Sequence, residues 1–209
     1  MPQKAFAAAS AAALATAFAW TAMASTPTTT SVPSSSPPAP TGCFVAGDGY
    51  LRARLRGSLE MDLDWKNADM DCAGGPRPLG KNNSQGVRVS IGGPLRGDGR
   101  RIRIVFGITG IGEGAAGQAL RTNVTLLFEG EQRVFATLGD DKCTVDSLTQ
   151  QRVENLGAPR AVYRVVARGF CLGPASSLTQ GERVFVTSFD FAGRVEFTEE
   201  DRNALSGKS

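Results

Sequence analysis

L-R-A-R-L-R-G-S-L-E-M-D-L-D-W, residues 51 to 65, alternates between apolar and polar side chains almost without a break. A period of two places successive side chains on opposite faces of a β-strand. We therefore expect one long strand whose odd-numbered positions face a core and whose even-numbered positions face water. The polar face is basic at its start and acidic at its end, with Arg52, Arg54 and Arg56 followed by Glu60, Asp62 and Asp64.

Other short segments along the chain have the same alternation, or are rich in β-branched and aromatic residues. They are residues 87–91, 101–108, 123–129, 132–138, 161–171, 183–191 and 194–197. The segment 145–155 fits either a short helix or an edge strand, and 67–86 has the composition of a turn-rich connection. Short strands at regular spacing, without a long amphipathic helix, predict an all-β fold. We expect an antiparallel β-sandwich, or a partly open barrel, of about eight strands.

The end of the chain combines an apolar strand pattern with a helix start signal. Five residues share one parity and are expected in the core: Phe185, Phe189, Phe191, Val195 and Phe197. Thr198 followed by three acidic residues predicts a capped, short C-terminal helix.

The first 42 residues have the composition of an export signal followed by a linker. Residues 1–24 combine Lys4, an alanine-rich apolar run and a small-x-small ending, which predicts a cleaved signal peptide. The run is also near the length of an uncleaved membrane anchor. Residues 25–42 are rich in Ser, Thr and Pro and predict a disordered linker. The remaining residues, 43–209, are expected to form a single β-sandwich domain.

Four cysteines in an exported chain predict two disulfides. They are Cys43, Cys72, Cys143 and Cys171. Four cysteines allow three connectivities, and the sequence does not choose among them. We favour Cys43–Cys72 and Cys143–Cys171, because each pair belongs to one local stretch. A four-thiolate zinc site is disfavoured, since the closely spaced cysteine pairs typical of such sites are absent from the sequence.

Composition excludes several classes of function. The chain contains no histidine, which rules out Ser-His-Asp and Cys-His triads and histidine-ligated zinc. Lys4 is the only charged residue before position 43, so the remainder carries a formal net charge of +2 against +3 for the whole chain. This balance is too small to indicate a nucleic-acid partner.

The acidic end of the first strand is the best candidate for a site. Glu60, Asp62 and Asp64 repel one another unless a cation or neighbouring arginines offset their charge, which makes them candidate Ca²⁺ ligands. The same carboxylates are candidates for the acid–base pair of a glycan-active hydrolase. The alternative is a solvated strand face that pairs with Arg or Lys on an adjacent strand. We expect no cofactor other than this possible Ca²⁺.

The basic residues form the other polarised feature of the sequence. Arg52, Arg54, Arg56, Arg101 and Arg103 are candidates for binding an anionic surface. Cross-strand pairing of these arginines with acids is again the alternative.

These patterns predict an exported bacterial protein that is periplasmic, secreted or at the cell surface. The leading hypothesis is a non-enzymatic β-sandwich that binds an envelope protein, a glycan or an anionic surface. The alternatives are a carboxylate-based glycan hydrolase and a structural component of an envelope assembly. We expect no nucleic-acid partner, and membrane contact only through an uncleaved anchor or a lipid on Cys43.

Overall fold

The structure is a computed structural model that describes residues 42–78, 85–154, 159–179 and 181–206. The predicted signal peptide (1–24) and the predicted linker (25–42), apart from Gly42, lie outside these residues. The described chain forms eleven antiparallel strands and one α-helix, which confirms the all-β prediction with more strands than expected. Their bounds are β1 Tyr50–Gly57, β2 Met61–Lys66, β3 Asp71–Pro76, β4 Gly86–Gly92, β5 Arg101–Thr109, β6 Gly117–Glu129, β7 Arg133–Ala136, β8 Cys143–Glu154, β9 Arg160–Cys171, β10 Ala175–Ser177, β11 Arg183–Thr198 and α1 Glu199–Ser206.

All eleven strands belong to one sheet. Strands β7 and β8 pair with successive parts of β6, and β9 and β10 pair with successive parts of β11. β7 also pairs with β10, and β8 pairs with β9. In the sheet, β7 and β8 therefore occupy the place of one interrupted strand, and β9 and β10 occupy the place of another. The order across the sheet is therefore β2, β1, β11, β9 with β10, β7 with β8, β6, β5, β4 and β3.

The sheet folds over so that its two halves pack face to face, as in a sandwich. The ring of Phe106 on β5 stacks on that of Phe191 on β11, with centroids 4.5 Å apart. Both rings are fully buried, as expected for residues that interdigitate between two sheets. On β11, Gly193 leaves room for Val89 of β4, because a Cβ at this glycine would lie only 2.6 Å from Val89 Cγ1.

The stretch that decides the fold is a hairpin, so the prediction of one long strand was wrong. β1 and β2 pair antiparallel through the turn at residues 58–60, with Leu51 opposite Trp65. Gly57 adopts a φ of +107°, which favours glycine and lets the chain leave the first strand. The predicted alternation is nevertheless correct, because the hairpin register keeps odd-numbered residues on the inner face of both strands.

The prediction that Phe185 lies in the core was also wrong, and a β-bulge explains why. The register between β1 and β11 shifts so that Arg54 lies opposite Ser188 and Leu55 opposite Val186, which leaves Thr187 as the extra residue. Because of the extra residue, the side chains before the bulge point to the opposite face from the one that their parity predicts. Phe185 is consequently 38% exposed, whereas the other four residues predicted with it are buried.

Two further segments, 145–155 and 67–86, are resolved by the strand pairing. Residues 145–154 belong to β8 and not to a helix; 145–148 lie between β6 and β9, whereas 149–154 pair only with β9 among the described residues. The turn-rich 67–86 segment contains β3, whose backbone approaches β11 closely enough that a Cβ on Gly74 would lie 2.4 Å from the Arg194 carbonyl oxygen.

Both favoured disulfides are present: Cys43–Cys72 and Cys143–Cys171. The first ties the segment before β1 to β3. The buried Asn67 side chain fixes the same segment, accepting hydrogen bonds from the Phe44 and Gly49 amides at 2.9 and 3.1 Å. The second joins register partners at the start of β8 and the end of β9.

The predicted C-terminal helix is present and capped. Thr198 Oγ1 accepts a hydrogen bond from the Asp201 amide, and Asp201 accepts one from the Thr198 amide, which is a reciprocal capping arrangement. Arg202 of α1 donates two hydrogen bonds to Glu113, at 2.7 and 2.8 Å, and anchors the helix to the loop after β5. Within the described residues, no helix is both long enough and apolar enough to cross a bilayer.

Candidate functional site

The hairpin brings the predicted acidic and basic residues of the first stretch together. Antiparallel pairing sets Arg52 opposite Asp64 and Arg54 opposite Asp62. Asp62 contacts Arg56 at 2.7 Å and Arg54 at 3.7 Å, and Asp64 contacts Arg52 at 3.5 Å. These pairs form a charge ladder on the outer face of the sheet. Because the chain reverses direction between β1 and β2, the basic residues of β1 lie opposite the acidic residues of β2.

The ion pairs give an account of the acidic residues that needs no metal. Hydrogen bonding to Lys66, with the charge of Arg52, holds the pKa of Asp64 below its usual value. Glu60 contacts Arg56 at 3.5 Å and accepts a hydrogen bond from the Gly57 amide. No group of three or more Cys, Asp or Glu side chains suited to a metal ion occurs in the described part of the chain. The Ca²⁺ hypothesis stays a prediction.

Arg101 and Arg103 lie elsewhere, in a second network on the outer face of β5. Both arginines hydrogen-bond to Glu129 of β6, and both contact Asp71 of β3 at 2.7–2.8 Å. Burial acts to raise the pKa of Asp71, but Arg103 and Arg101 outweigh it and the pKa lies below its ordinary value. The two arginines therefore hold three strands together and are not joined to Arg52, Arg54 and Arg56 by any contact that the described residues show.

A row of polar side chains crosses the other half of the sheet. Successive register pairs connect five strands, β2, β1, β11, β9 and β8, through Asp64, Arg52, Asp190, Arg168 and Ser147. Neighbouring strands lie about 4.8 Å apart, so the row is about 19 Å long. We call the depression along this row the cross-strand groove.

Asp190 lies at the centre of the cross-strand groove. Its register neighbours are Arg52 and Arg168, yet within the described chain neither guanidinium forms an ion pair with it. Instead Asp190 accepts a hydrogen bond of 2.8 Å from the Tyr50 hydroxyl. Burial, together with this carboxylate, raises the pKa of Tyr50. The tyrosine orients the carboxylate without neutralising its charge.

Arg168 is held in a comparable way by a neutral partner. Its Nε donates a hydrogen bond of 3.1 Å to Ser147 Oγ, and the residue is exposed. The Nη groups have no hydrogen-bond partner within the described part of the protein. The groove therefore presents a carboxylate and a guanidinium side by side, and both retain hydrogen-bonding capacity for a ligand.

Two open cavities lie along the groove, and Asp190 lines both. One, of about 300 Å³, is lined by Tyr50, Ser147, Thr149, Val166, Ala167, Arg168 and Asp190. The other, of about 280 Å³, lies over the charge ladder between β1, β2 and β11. Arg52 lies over the Tyr50 ring, 5.3 Å from its centroid, so a residue that lines the second cavity contacts one that lines the first.

Sequence reasoning identified only part of this site. Arg52 and Asp64 were candidates, but Tyr50, Ser147, Arg168 and Asp190 were not. One signal was present: Asp190 is a charged residue between Phe189 and Phe191 in an otherwise apolar segment. The pairing of β9 with β11 joins it to Arg168, and no pattern along the chain predicts which strands become neighbours.

Comparison with known proteins gives no match. No family model fits the chain, and no curated protein or solved structure is significantly similar to it.

Proposed function

We propose that this chain is an exported bacterial binding module that holds a glycan in the cross-strand groove without acting on it chemically. The two disulfides fit an oxidising compartment outside the cytoplasm. The signal-peptide pattern of residues 1–24 supports the same location. The groove supplies the part of the proposal that concerns binding.

The observation that carries the proposal is the unpaired state of Arg168 and Asp190. Oppositely charged residues directly opposite each other on antiparallel strands normally pair and stabilise the sheet. Here each is oriented by a neutral hydroxyl, from Ser147 and Tyr50, and their charges stay available. Neighbouring hydroxyls of a sugar suit this arrangement, because one donates to the carboxylate while the next accepts from the guanidinium.

The surroundings favour a glycan over the other predicted ligands. Charges along the groove alternate in sign, so the groove presents no strong field to an anionic surface. The Tyr50 hydroxyl adds a further polar group to the lining of the groove, beside the Asp190 carboxylate. Two cavities in line fit an extended, repeating ligand better than a single compact one.

The hydrolase alternative has less support. A general acid needs a carboxyl whose pKa is raised by its surroundings. Every described carboxyl whose pKa departs from its ordinary value has it lowered, and Asp64 is one of them. Glu60 and Asp62 are occupied by arginines. The third alternative, a structural part of an envelope assembly, predicts an oligomer at micromolar concentration and is tested on a sizing column.

The proposal is tested by screening the oxidised protein on an array of defined bacterial and plant oligosaccharides and titrating the best ligand calorimetrically. Asp190→Asn and Arg168→Gln should each weaken binding about tenfold or more, because each removes a charge-assisted hydrogen bond. Matched controls are Asp69→Asn and Arg88→Gln, both exposed residues outside the groove, which should leave the affinity unchanged. An array without a binder, or a binder indifferent to both groove variants, would contradict the proposal.

A further inference from the structure

A small cavity lies where three turns meet. The turns connect β1 to β2, β4 to β5 and β6 to β7. The cavity between them has a volume of about 200 Å³. It is lined by Leu59, Met61, Arg96, Arg100, Arg101, Ile102, Phe128, Glu131 and Arg133. Four arginines and one glutamate are therefore among the residues that line it. We call it the tip pocket.

The four arginines differ in how far their charge is already used. Arg101 binds Asp71 and Glu129, and Arg133 binds Glu182 through two hydrogen bonds while lying over the rings of Phe128 and Phe135. These two guanidinium groups are fixed in place. The Arg96 side chain is exposed and makes no hydrogen bond or ion pair within the described residues. Its guanidinium group is therefore available to bind an anion.

Among the described residues, Glu131 supplies the one carboxylate that lines the tip pocket. It contacts Arg100 at 3.4 Å, whereas Arg100 binds Asp98 more closely, at 2.8 Å. Arg100 therefore keeps its main partner when Glu131 moves away. The Glu131 carboxylate occupies the position that an incoming anion would take, so it acts as a weak internal competitor.

The floor of the pocket strengthens electrostatic attraction. Ile102 and Phe128 are buried, and Leu59 and Met61 pack against the core beside them. Apolar walls exclude water and lower the local dielectric constant, which increases the attraction between an anion and the guanidinium groups. The planar fork of arginine matches the oxygen atoms of a phosphate or sulfate group.

We propose that the tip pocket binds a phosphate-type oxyanion, held by Arg96 and Arg100 with Arg101 and Arg133 behind them. This site is separate from the cross-strand groove and does not rest on glycan binding. The phosphate belongs either to a soluble phosphorylated compound or to a lipid headgroup. Leu95, adjacent to Arg96 and 67% exposed, is placed to enter the apolar layer of a membrane if the source is a lipid.

The first experiment titrates inorganic phosphate into the oxidised full chain and follows the backbone amide shifts of the turns by NMR. Glu131→Gln should tighten phosphate binding and Arg96→Gln should weaken it, each by about threefold to fivefold, as for an exposed charge pair. Arg88→Gln, which removes an exposed arginine from the same half of the sheet, should change nothing. Both variants should fold, because the Arg96 side chain makes no hydrogen bond or ion pair within the described residues and Glu131 has only its contact of 3.4 Å with Arg100, which keeps Asp98 as a partner.

The second experiment separates the two sources of phosphate. The protein is sedimented with phosphatidylcholine vesicles that contain or lack phosphatidylglycerol. Binding to the anionic vesicles that is lost in Leu95→Ser, with phosphate titration unaltered, assigns a lipid headgroup. Phosphate binding without vesicle binding assigns a soluble ligand. The proposal is overturned if the wild-type protein binds neither probe. It is also overturned if Glu131→Gln and Arg96→Gln both bind phosphate with the wild-type affinity.

Discussion

Replacing Arg168 and Asp190 singly and together measures whether these charges pair when no ligand is bound. Opposite charges in direct register on adjacent strands usually contribute about 0.2–1 kcal/mol to stability. Here no nitrogen of Arg168 lies within 4.0 Å of an oxygen of Asp190, and the guanidinium is exposed. We therefore expect the coupling between Arg168→Gln and Asp190→Asn in the free energy of unfolding to be below about 0.3 kcal/mol.

Arg56 and Asp62 provide a matched cycle in the same sheet. Their atoms contact at 2.7 Å, with side-chain exposures of 37% and 67%. For Arg56→Gln and Asp62→Asn we expect a coupling of about 0.5 kcal/mol, which decreases in high salt. Both cycles are measured by urea unfolding of the oxidised protein, followed by the fluorescence of the buried Trp65.

A coupling of about 1 kcal/mol or more between Arg168 and Asp190 would refute the reasoning. It would show that the two side chains form an ion pair in solution and that the groove offers no unsatisfied charge. The expected result is a negligible coupling in the unfolding experiment and a clear one in glycan affinity, because the ligand bridges the two groups.

Three further predictions follow from other contacts. Asp71 and Glu129 have lowered pKa values in the folded protein. Their contribution to the free energy of unfolding is therefore complete above the unfolded pKa of about 4 and is lost as the pH falls further. Urea unfolding between pH 7 and 2.5 should show this loss of stability, and Asp71→Asn should make the loss smaller. Gly169→Ala would place a Cβ 2.0 Å from a β8 carbonyl oxygen and should cost about 1–3 kcal/mol or more by chemical denaturation, whereas Gly97→Ala, where nothing lies within 4 Å, should cost under about 0.5 kcal/mol. Millimolar Ca²⁺ should not raise the unfolding temperature above that in EDTA, because arginines occupy the acidic ladder; a rise of several degrees that is lost in Asp62→Asn/Asp64→Asn would instead support a cation site.

The sequence predicted the architecture where local patterns depend on burial alone. Alternation in residues 51–65 gave the correct inner and outer faces, and the spacing of the cysteines favoured the correct pairs. It failed where a single backbone event changes the parity or direction of the chain. Gly57 turns one apparent strand into two, and the extra residue Thr187 moves Phe185 from the core to the surface.

The candidate groove was out of reach for a different reason, because it depends on pairing between strands that are distant in the sequence. Its central pair, Arg168 and Asp190, is separated by more than twenty positions and comes together only through the pairing of β9 with β11. Tyr50 lies one residue before the alternating stretch 51–65, and its hydroxyl donates a hydrogen bond to Asp190, which is 140 positions away in the sequence. A pattern along the chain records which face a residue occupies, but it does not record which strand lies beside it.

The charge ladder between β1 and β2 has a consequence for how the protein behaves at high concentration. In the described part of the chain, β2 is an outer strand with β1 as its one hydrogen-bonded neighbour, and such edges are prone to pair with another molecule. It is only six residues long, and its outward face carries Asp62, Asp64 and Lys66. A second copy docking there in antiparallel register would bring the carboxylates of the two β2 strands close to one another, on the side away from the β1 arginines, and like charges on neighbouring strands destabilise the pairing. The same row of acids that pairs with β1 thus protects the exposed edge against aggregation.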